Sequence, residues 1–245
     1  MMTTPKTLLG KLDPSAVGLL ELPRLPKAIL DGFRALGDLS GTTSDAMDEL
    51  GIAGVVPASF LRPTDPRARV VAQALTVLNQ PLEASVAEAV KQNISRLGEI
   101  EAHNLAEPGD VLVIQGIANV SSMGGISASI GKRQGEAGAI VDGAVRDIDH
   151  SREIGYPVWS SSVSPLTGKW RIETVAVNKP IRIAGVEVRP GDLVVADEVG
   201  VCFLPFLRAA EVLAVAQKLA RSEKDRLERL AAGMPLSEFN RRGRP

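Results

Sequence analysis

The chain is short of several things, and each shortage removes a class of function. One cysteine, Cys202, in 245 residues leaves no intrachain disulfide and fits a reducing cytoplasm. Two histidines, His103 and His150, are too few for a histidine-rich zinc site. Aromatic residues make up 3% of the chain, which leaves little with which to stack nucleobases. Neither sign of charge is in excess: 28 Lys and Arg oppose 29 Asp and Glu. There is thus no basic surplus for nucleic acid and no acidic solvating tail. Apolar runs such as Leu193-Val194-Val195-Ala196 are far shorter than the roughly 20 residues of a membrane span. Met1 to Lys11 has no apolar core of the signal-peptide kind. The sequence also lacks a Gly-x-Ser-x-Gly elbow, a P-loop and a Rossmann fingerprint followed by an acidic residue.

What remains is an ordinary globular composition, 44% hydrophobic and 23% charged, able to bury a sizeable core. With no repeat, low-complexity tract or clean linker, the expectation is one domain over 1–245, with residues 1–22 as an N-terminal arm. Apolar spacing predicts a helix over 25–37, carrying Ile29, Leu30, Phe33 and Leu36 on one face. Gly41-Thr42-Thr43-Ser44-Asp45 reads as turn and cap formers before a short helix, 46–50. A strand is expected at 69–77 and a helix at 84–97. Then come strand 111–115, helix 125–134, strand 138–142 and helix 147–154. This β-α-β-α run favours parallel pairing with a right-handed crossover. Further strands follow from 157 to 162 and, in hairpin fashion, between 173 and 204, so the sheet is expected to be mixed. A long C-terminal helix occupies 206–232, after Pro205. The fold class is α/β.

The chemistry concentrates between Gly124 and Asp147. Gly124-Gly125-Ile126-Ser127 opens a helix, so several backbone N–H groups lie free at a partially positive helix end, suited to a carboxylate or oxyanion. Arg146-Asp147 closes the following strand. A guanidinium fork can hold a carboxylate or steady an enolate oxygen. A carboxylate such as Asp147 can bind Mg²⁺ or Mn²⁺ while water completes the octahedron. Each piece also has a plain structural account: a tight turn for the glycines, a helix N-cap for Asp147, a surface ion pair for Arg146. Asp45 reads as a cap and Asp142 as a turn former. Asp197 and Glu198 read as solvated turn residues, and Cys202 as a buried strand residue. His103 and His150 read as surface or hydrogen-bonded side chains; His150, three residues after Asp147, shares its helical face.

Taken together the segments resemble a known family. Gly109-Asp110-Val111-Leu112-Val113, Gly124-Gly125 and Gly138-Ala139-Ile140-Val141-Asp142-Gly143-Ala144-Val145-Arg146-Asp147 resemble the RraA-like family. So do Thr43-Ser44-Asp45-Ala46-Met47-Asp48-Glu49-Leu50-Gly51, Gly155-Tyr156-Pro157-Val158 and Val188-Arg189-Pro190-Gly191-Asp192-Leu193-Val194-Val195-Ala196-Asp197. The resemblance covers about residues 40–205. That family includes 4-hydroxy-4-methyl-2-oxoglutarate aldolases that also decarboxylate oxaloacetate, and the regulator of ribonuclease E activity A. Some members carry a methyltransferase name, for which this sequence offers no methyl-donor motif.

The resemblance implies an α-β-β-α sandwich of the swivelling β/β/α type, assembled as trimers or hexamers with sites at subunit interfaces. It implies that Gly124, Gly125, Ile126 and Ser127 hold a small 2-oxo acid through backbone amides. Arg146 would contact the keto or enolate oxygen as the catalytic cation, and Asp147 would bind Mg²⁺ or Mn²⁺. Glu223, in Ser222-Glu223-Lys224-Asp225, is similar to an acid that the family supplies across the subunit boundary. One departure stands out: family aldolases carry an acid twenty-one positions before the arginine, where this chain has Gly125. Aldol cleavage needs a base on the substrate hydroxyl and decarboxylation does not, so decarboxylation is expected to suffer less. The alternative expectation is a non-catalytic interaction protein like the ribonuclease regulator. Neither nucleic acid nor membrane is expected as a partner.

Overall fold

The computed structural model describes residues 6–239. Residues 1–5 of the expected arm lie outside the described residues. In chain order the strands are β1 (Val55–Pro57), β2 (Arg62–Pro63), β3 (Val70–Pro81), β4 (Val111–Gln115), β5 (Ser121–Met123), β6 (Gly138–Val145), β7 (Val158–Val163), β8 (Ile172–Val177), β9 (Ile181–Ile183), β10 (Val186–Val188), β11 (Leu193–Ala196) and β12 (Gly200–Leu204). The α-helices are α1 (Lys27–Arg34), α2 (Ser40–Glu49), α3 (Val86–Lys91), α4 (Glu99–Leu105), α5 (Gly125–Gln134), α6 (Ile148–Glu153), α7 (Ala209–Ala231) and α8 (Leu236–Phe239).

The main sheet runs β1-β12-β11-β3-β4-β6-β7-β2, with β5 beside β6 and β8 beside β3. β3, β4, β6 and β7 are mutually parallel, whereas β11, β12 and β1 pair antiparallel. The hinge of this arrangement is β3. Its first half, from Val70 to Gln73, pairs with β11, and Ala74 to Leu78 pairs with β4.

Strand alternation then sorts the apolar side chains into three layers. Leu75, Val77, Leu112, Ile114, Ala139 and Val141 pack outward against α4 and α5 through Ala102, Leu105 and Ala128. Their neighbours Ala72, Ala74, Val111, Val113 and Ile140 point the other way and meet Val194, Ala196, Val201 and Phe203 between the two halves of the sheet. Leu193, Val195, Cys202 and Leu204 face out again, against Phe33 of α1, Met47 of α2 and Val212 of α7. The layers are therefore helix, sheet, sheet, helix, an α/β sandwich built on a mixed sheet, as expected. No helix among the described residues is long and apolar enough to cross a membrane.

Several expected elements are corrected. The run Gly41 to Asp45 is not a turn before a helix but lies inside α2, with Thr42 and Thr43 buried. Thr43 turns its hydroxyl back to the Leu39 carbonyl at 2.6 Å, one way a threonine is accommodated within a helix. The helix expected over 84–97 stops at Lys91, where Asn93 turns left-handed at φ 53°. α4 and β5 were not anticipated. Asp197 is no solvated turn residue: it is buried and accepts from the amide and hydroxyl of Ser40 and from the Val199 amide. Asp142 sits within β6, where it receives the Ala184 amide. Asp45 lies exposed in the middle of α2 rather than at its cap.

Candidate functional site

The site is created by two neighbouring parallel strands ending side by side. Ser121 pairs with Ala144 and Met123 with Val145, so β5 and β6 release their C-terminal loops next to one another. The β5 loop is Gly124, N-cap of α5; the β6 loop is Arg146-Asp147, entering α6. Ligands of α/β sheets gather at such strand ends.

Asp147 occupies the N-cap position of α6 but does not cap it. Its backbone is left-handed at φ 54°, ψ 39°, an arrangement that costs on the order of 1 kcal/mol or more for a non-glycine residue. The side chain instead crosses to α5, where Oδ2 accepts the Gly125 amide at 2.9 Å. Arg146 Nε lies 3.6 Å from the same oxygen, and both side chains are close to half exposed, at 43% and 49%. Gly124 permits this approach: a Cβ there would stand 2.7 Å from Asp147 Oδ2 and 3.1 Å from Arg146 Cγ and Nε. Ile126 and Ser127 follow in the first turn, where amides have no intrahelical acceptor.

Beside Asp147 opens a cleft of about 640 Å³, bounded by Gly125, Ile126, Ser129, Arg133, Asp149 and His150 among others. Arg146 flanks this cleft from over Gly124 rather than lining it. The imidazole of His150 covers Gly125, its Cδ2 3.1 Å from where a Cβ would be. Ser129 Oγ donates to the Gly125 carbonyl at 2.8 Å and lies 2.9 Å from His150 Nε2. With the one serine proton on that carbonyl, Nε2 is the donor in this contact. Ile126 is 82% exposed at the rim, an isoleucine with nothing over it in a single chain.

The expected residues are thus partly assembled. Gly124, Gly125, Ile126, Arg146 and Asp147 come together. Ser127 shares the turn, but its side chain faces inward to His103. Glu223 is exposed on α7 and borders a different groove, with Gly32, Leu36, Gln217 and Leu227. Cys202 is buried, and burial pushes its thiol up to about 12, which keeps it inert. Ser129, Arg133 and Asp149 were missed as cleft residues; their only sequence signal is helical spacing from Gly125 and Asp147.

A family model described as RraA-like, Aldolase/RraA, matches residues 40–203. The chain belongs to the RraA-like family. Among its relatives is a Halalkalibacterium halodurans protein named "Putative 4-hydroxy-4-methyl-2-oxoglutarate aldolase", 32% identical over 75% of this chain and 80% of its own length. It also matches Protein DlpA of Legionella pneumophila at 26% identity, spanning 31% of that longer protein. Among solved structures, an uncharacterized protein from Pseudomonas syringae pv. tomato superposes with TM-score 0.75 at 29% identity, covering 89% of this chain and 95% of its own. Streptomyces coelicolor RraAS2, described as an unusual member of the RNase ES inhibitor RraA protein family, gives TM-score 0.68 at 29% identity, over 82% of this RraA-like chain and 96% of its own.

Proposed function

We propose that this RraA-like protein is a divalent-metal-dependent lyase that cleaves a C–C bond of a 2-oxo acid through a pyruvate enolate. Its substrates are oxaloacetate, 4-hydroxy-4-methyl-2-oxoglutarate or both. The observation that carries the reading is the convergence of the Asp147 carboxylate, the Arg146 guanidinium and the first-turn amides of α5 at adjacent strand ends. The relative named "Putative 4-hydroxy-4-methyl-2-oxoglutarate aldolase" supports it.

A hard divalent cation fits these residues. Asp147 engages the Gly125 amide through Oδ2, while Oδ1 has no hydrogen bond among the described residues. No cluster of three or more His, Cys, Asp or Glu that could hold an ion occurs among the described residues, so Asp147 would be the ion's single carboxylate ligand within one chain. Asp147 would hold Mg²⁺ or Mn²⁺ with water filling the other positions, the usual habit of Mg²⁺. Such an ion supplies Lewis acidity toward the substrate carboxylate and keto oxygen.

The chain's own groups do the rest. The amides of Ile126 and Ser127 bind the carboxylate at the positive end of α5. Arg146 donates to the keto oxygen as it takes on negative charge, an interaction worth roughly 3 to 4 kcal/mol in comparable sites. Aldol cleavage also needs an acceptor for the substrate hydroxyl proton; the imidazole of His150, which lines the cleft, would supply it. Decarboxylation has no such need. Because Gly125 brings no carboxylate, oxaloacetate decarboxylation should outpace aldol cleavage. The exposed Ile126 and the half-exposed Arg146 and Asp147 suit a site covered by a second copy in a homotrimer or homohexamer, with Glu223 approaching from that copy.

The test is pyruvate release from both substrates with Mg²⁺ and after EDTA, for the native chain, Arg146→Lys and Asp147→Asn. Metal-dependent release that falls about 100-fold or more in either variant supports the lyase. The likeness to RraAS2 favours a second reading, a non-catalytic regulator that masks a protein partner. That reading requires no turnover in the native chain and full partner affinity in Asp147→Asn.

A further inference from the structure

Beneath the cleft, four polar side chains that take no part in the proposed chemistry form a continuous buried chain. Tyr156 Oη donates to Glu136 Oε2 at 2.6 Å. Glu136 Oε1 lies 2.7 Å from His103 Nδ1, and His103 Nε2 lies 2.9 Å from Ser127 Oγ. The His103 and Glu136 side chains are 1% and 0% exposed, and Tyr156 is fully buried. Burial first, and the neighbouring Glu136 second, hold the Tyr156 phenol well above its ordinary value, so it serves as a donor.

Proton counting gives the chain a direction. In the tautomer with its proton on Nδ1, His103 donates to a Glu136 carboxylate that also accepts from Tyr156. Nε2 is then the acceptor, and the Ser127 hydroxyl donates to it. A helical serine more often turns its hydroxyl to the carbonyl four residues back, as Ser129 does to Gly125. Ser127, third in α5, has no carbonyl of its own helix four residues back, that position being Met123 of β5, and its hydroxyl is tied to α4.

Two further features fit a built device rather than leftover polarity. Gly131, one turn along α5, makes room for it: a Cβ there would stand 2.5 Å from Glu136 Oε2 and 2.6 Å from Tyr156 Oη. Gln134 Nε2 also donates to the His103 carbonyl at 3.0 Å, fastening α5 to α4 a second time. An apolar core in this place would avoid the cost of burying an imidazole and a carboxylate. What the polar chain adds is a directional hold on one residue, the third of α5, whose amide belongs to the ligand-facing turn.

We propose that His103, held by Glu136 and Tyr156, is a positioning residue for the carboxylate-binding turn. Through Ser127 it fixes where the amides of Gly125 to Ser127 point relative to Arg146 and Asp147. The role in ligand binding rests on the lyase reading above; the role in fixing the turn does not.

The experiment compares the native chain with Ser127→Ala, His103→Gln and Glu136→Gln. Amide hydrogen exchange is followed at Gly125 and Ala128, whose N–H groups bond Asp147 Oδ2 and the Gly124 carbonyl. Affinity for oxalate, a planar mimic of the pyruvate enolate, is measured in Mg²⁺. Ser127→Ala and His103→Gln should speed exchange at these two amides about tenfold while the β4 and β6 amides keep their protection. Oxalate affinity should fall about tenfold with them, and Glu136→Gln, which keeps an acceptor for Nδ1–H, should recover part of both. If His103→Gln does not fold, Ser127→Ala, which loses one hydroxyl, carries the test alone. Unchanged exchange at Gly125 and Ala128 overturns the proposal whatever oxalate does. Local exchange that rises in a protein whose native form binds no oxalate would leave the positioning intact and remove the lyase reading instead.

Discussion

Asp147 Oδ2 receives the amide of Gly125 at 2.9 Å, joining the end of β6 to the start of α5 across twenty-two residues of sequence. The bond explains why Asp147 tolerates a left-handed backbone and leaves its own helix uncapped. It also explains Gly124, which lies under both the carboxylate and the Arg146 side chain.

Gly124→Ala should therefore displace the pair. A misplacement of about 1 Å at a reacting centre costs on the order of 100-fold in rate. We expect kcat/KM for oxaloacetate to drop between 10- and 100-fold, with a thermal midpoint close to that of the native chain because the turn is open to solvent. Steady-state kinetics and a melting curve check both halves. Activity within twofold of native would show that the close approach is dispensable.

On the lyase reading, His150→Gln should separate the two reactions. Removing a general base typically costs about 100- to 10,000-fold, and only aldol cleavage needs one. The ratio of aldol to decarboxylation turnover should fall at least about tenfold. Equal losses in the two assays would assign His150 to holding Gly125 and Ser129 in place instead.

Alkaline stability should carry a signature of Cys202. Its thiol is held at about 12, against an ordinary value of 9.0, chiefly by burial. The unfolded thiol ionises first as pH rises. The associated stability is therefore complete below pH 9 and is lost progressively toward pH 12. Tyr156, also raised by burial, acts in the same direction only above its ordinary value of 10.0. Between about pH 8 and 10, Cys202→Ala should lose less of its thermal midpoint than the native chain. Parallel curves for the two proteins would contradict this.

Trp159 tests the join between the two sheet halves. Its ring is fully buried in the inter-sheet layer, and Nε1 donates to the Asp197 carbonyl at 2.7 Å. Trp159→Ala should cost about 3–5 kcal/mol in urea unfolding. Trp159→Phe should cost less, mostly the penalty of about 1–3 kcal/mol for the orphaned carbonyl.

The parallel centre of the fold was readable because Val111-Leu112-Val113-Ile114 and Ala139-Ile140-Val141 are buried on both faces, which leaves unbroken apolar runs. The glycine turn and Arg146-Asp147 each have a plain structural account in isolation, and only the resemblance to the RraA-like family joined them; in the structure they lie side by side. α2 was misread because Thr42, Thr43 and Ser44 favour caps locally, and only packing against α7 and β12 makes them helical. α4 was invisible because the residues it buries include Glu101 and His103, which no hydrophobic periodicity can reveal. Asp197 looked solvated for want of Ser40, its partner 157 residues away. Long-range polar pairing leaves little trace in a single sequence.

Strand β3 supplies Val70, Ala72 and Ala74 to the inter-sheet layer, Val71 to the layer beneath α7, and Leu75 and Val77 to the layer beneath α4. Three cores threaded by one backbone cannot melt in succession without tearing the same ribbon. Heating should accordingly give one calorimetric peak, and the corner that holds Arg146 and Asp147 should draw its rigidity from residues on the opposite side of the molecule.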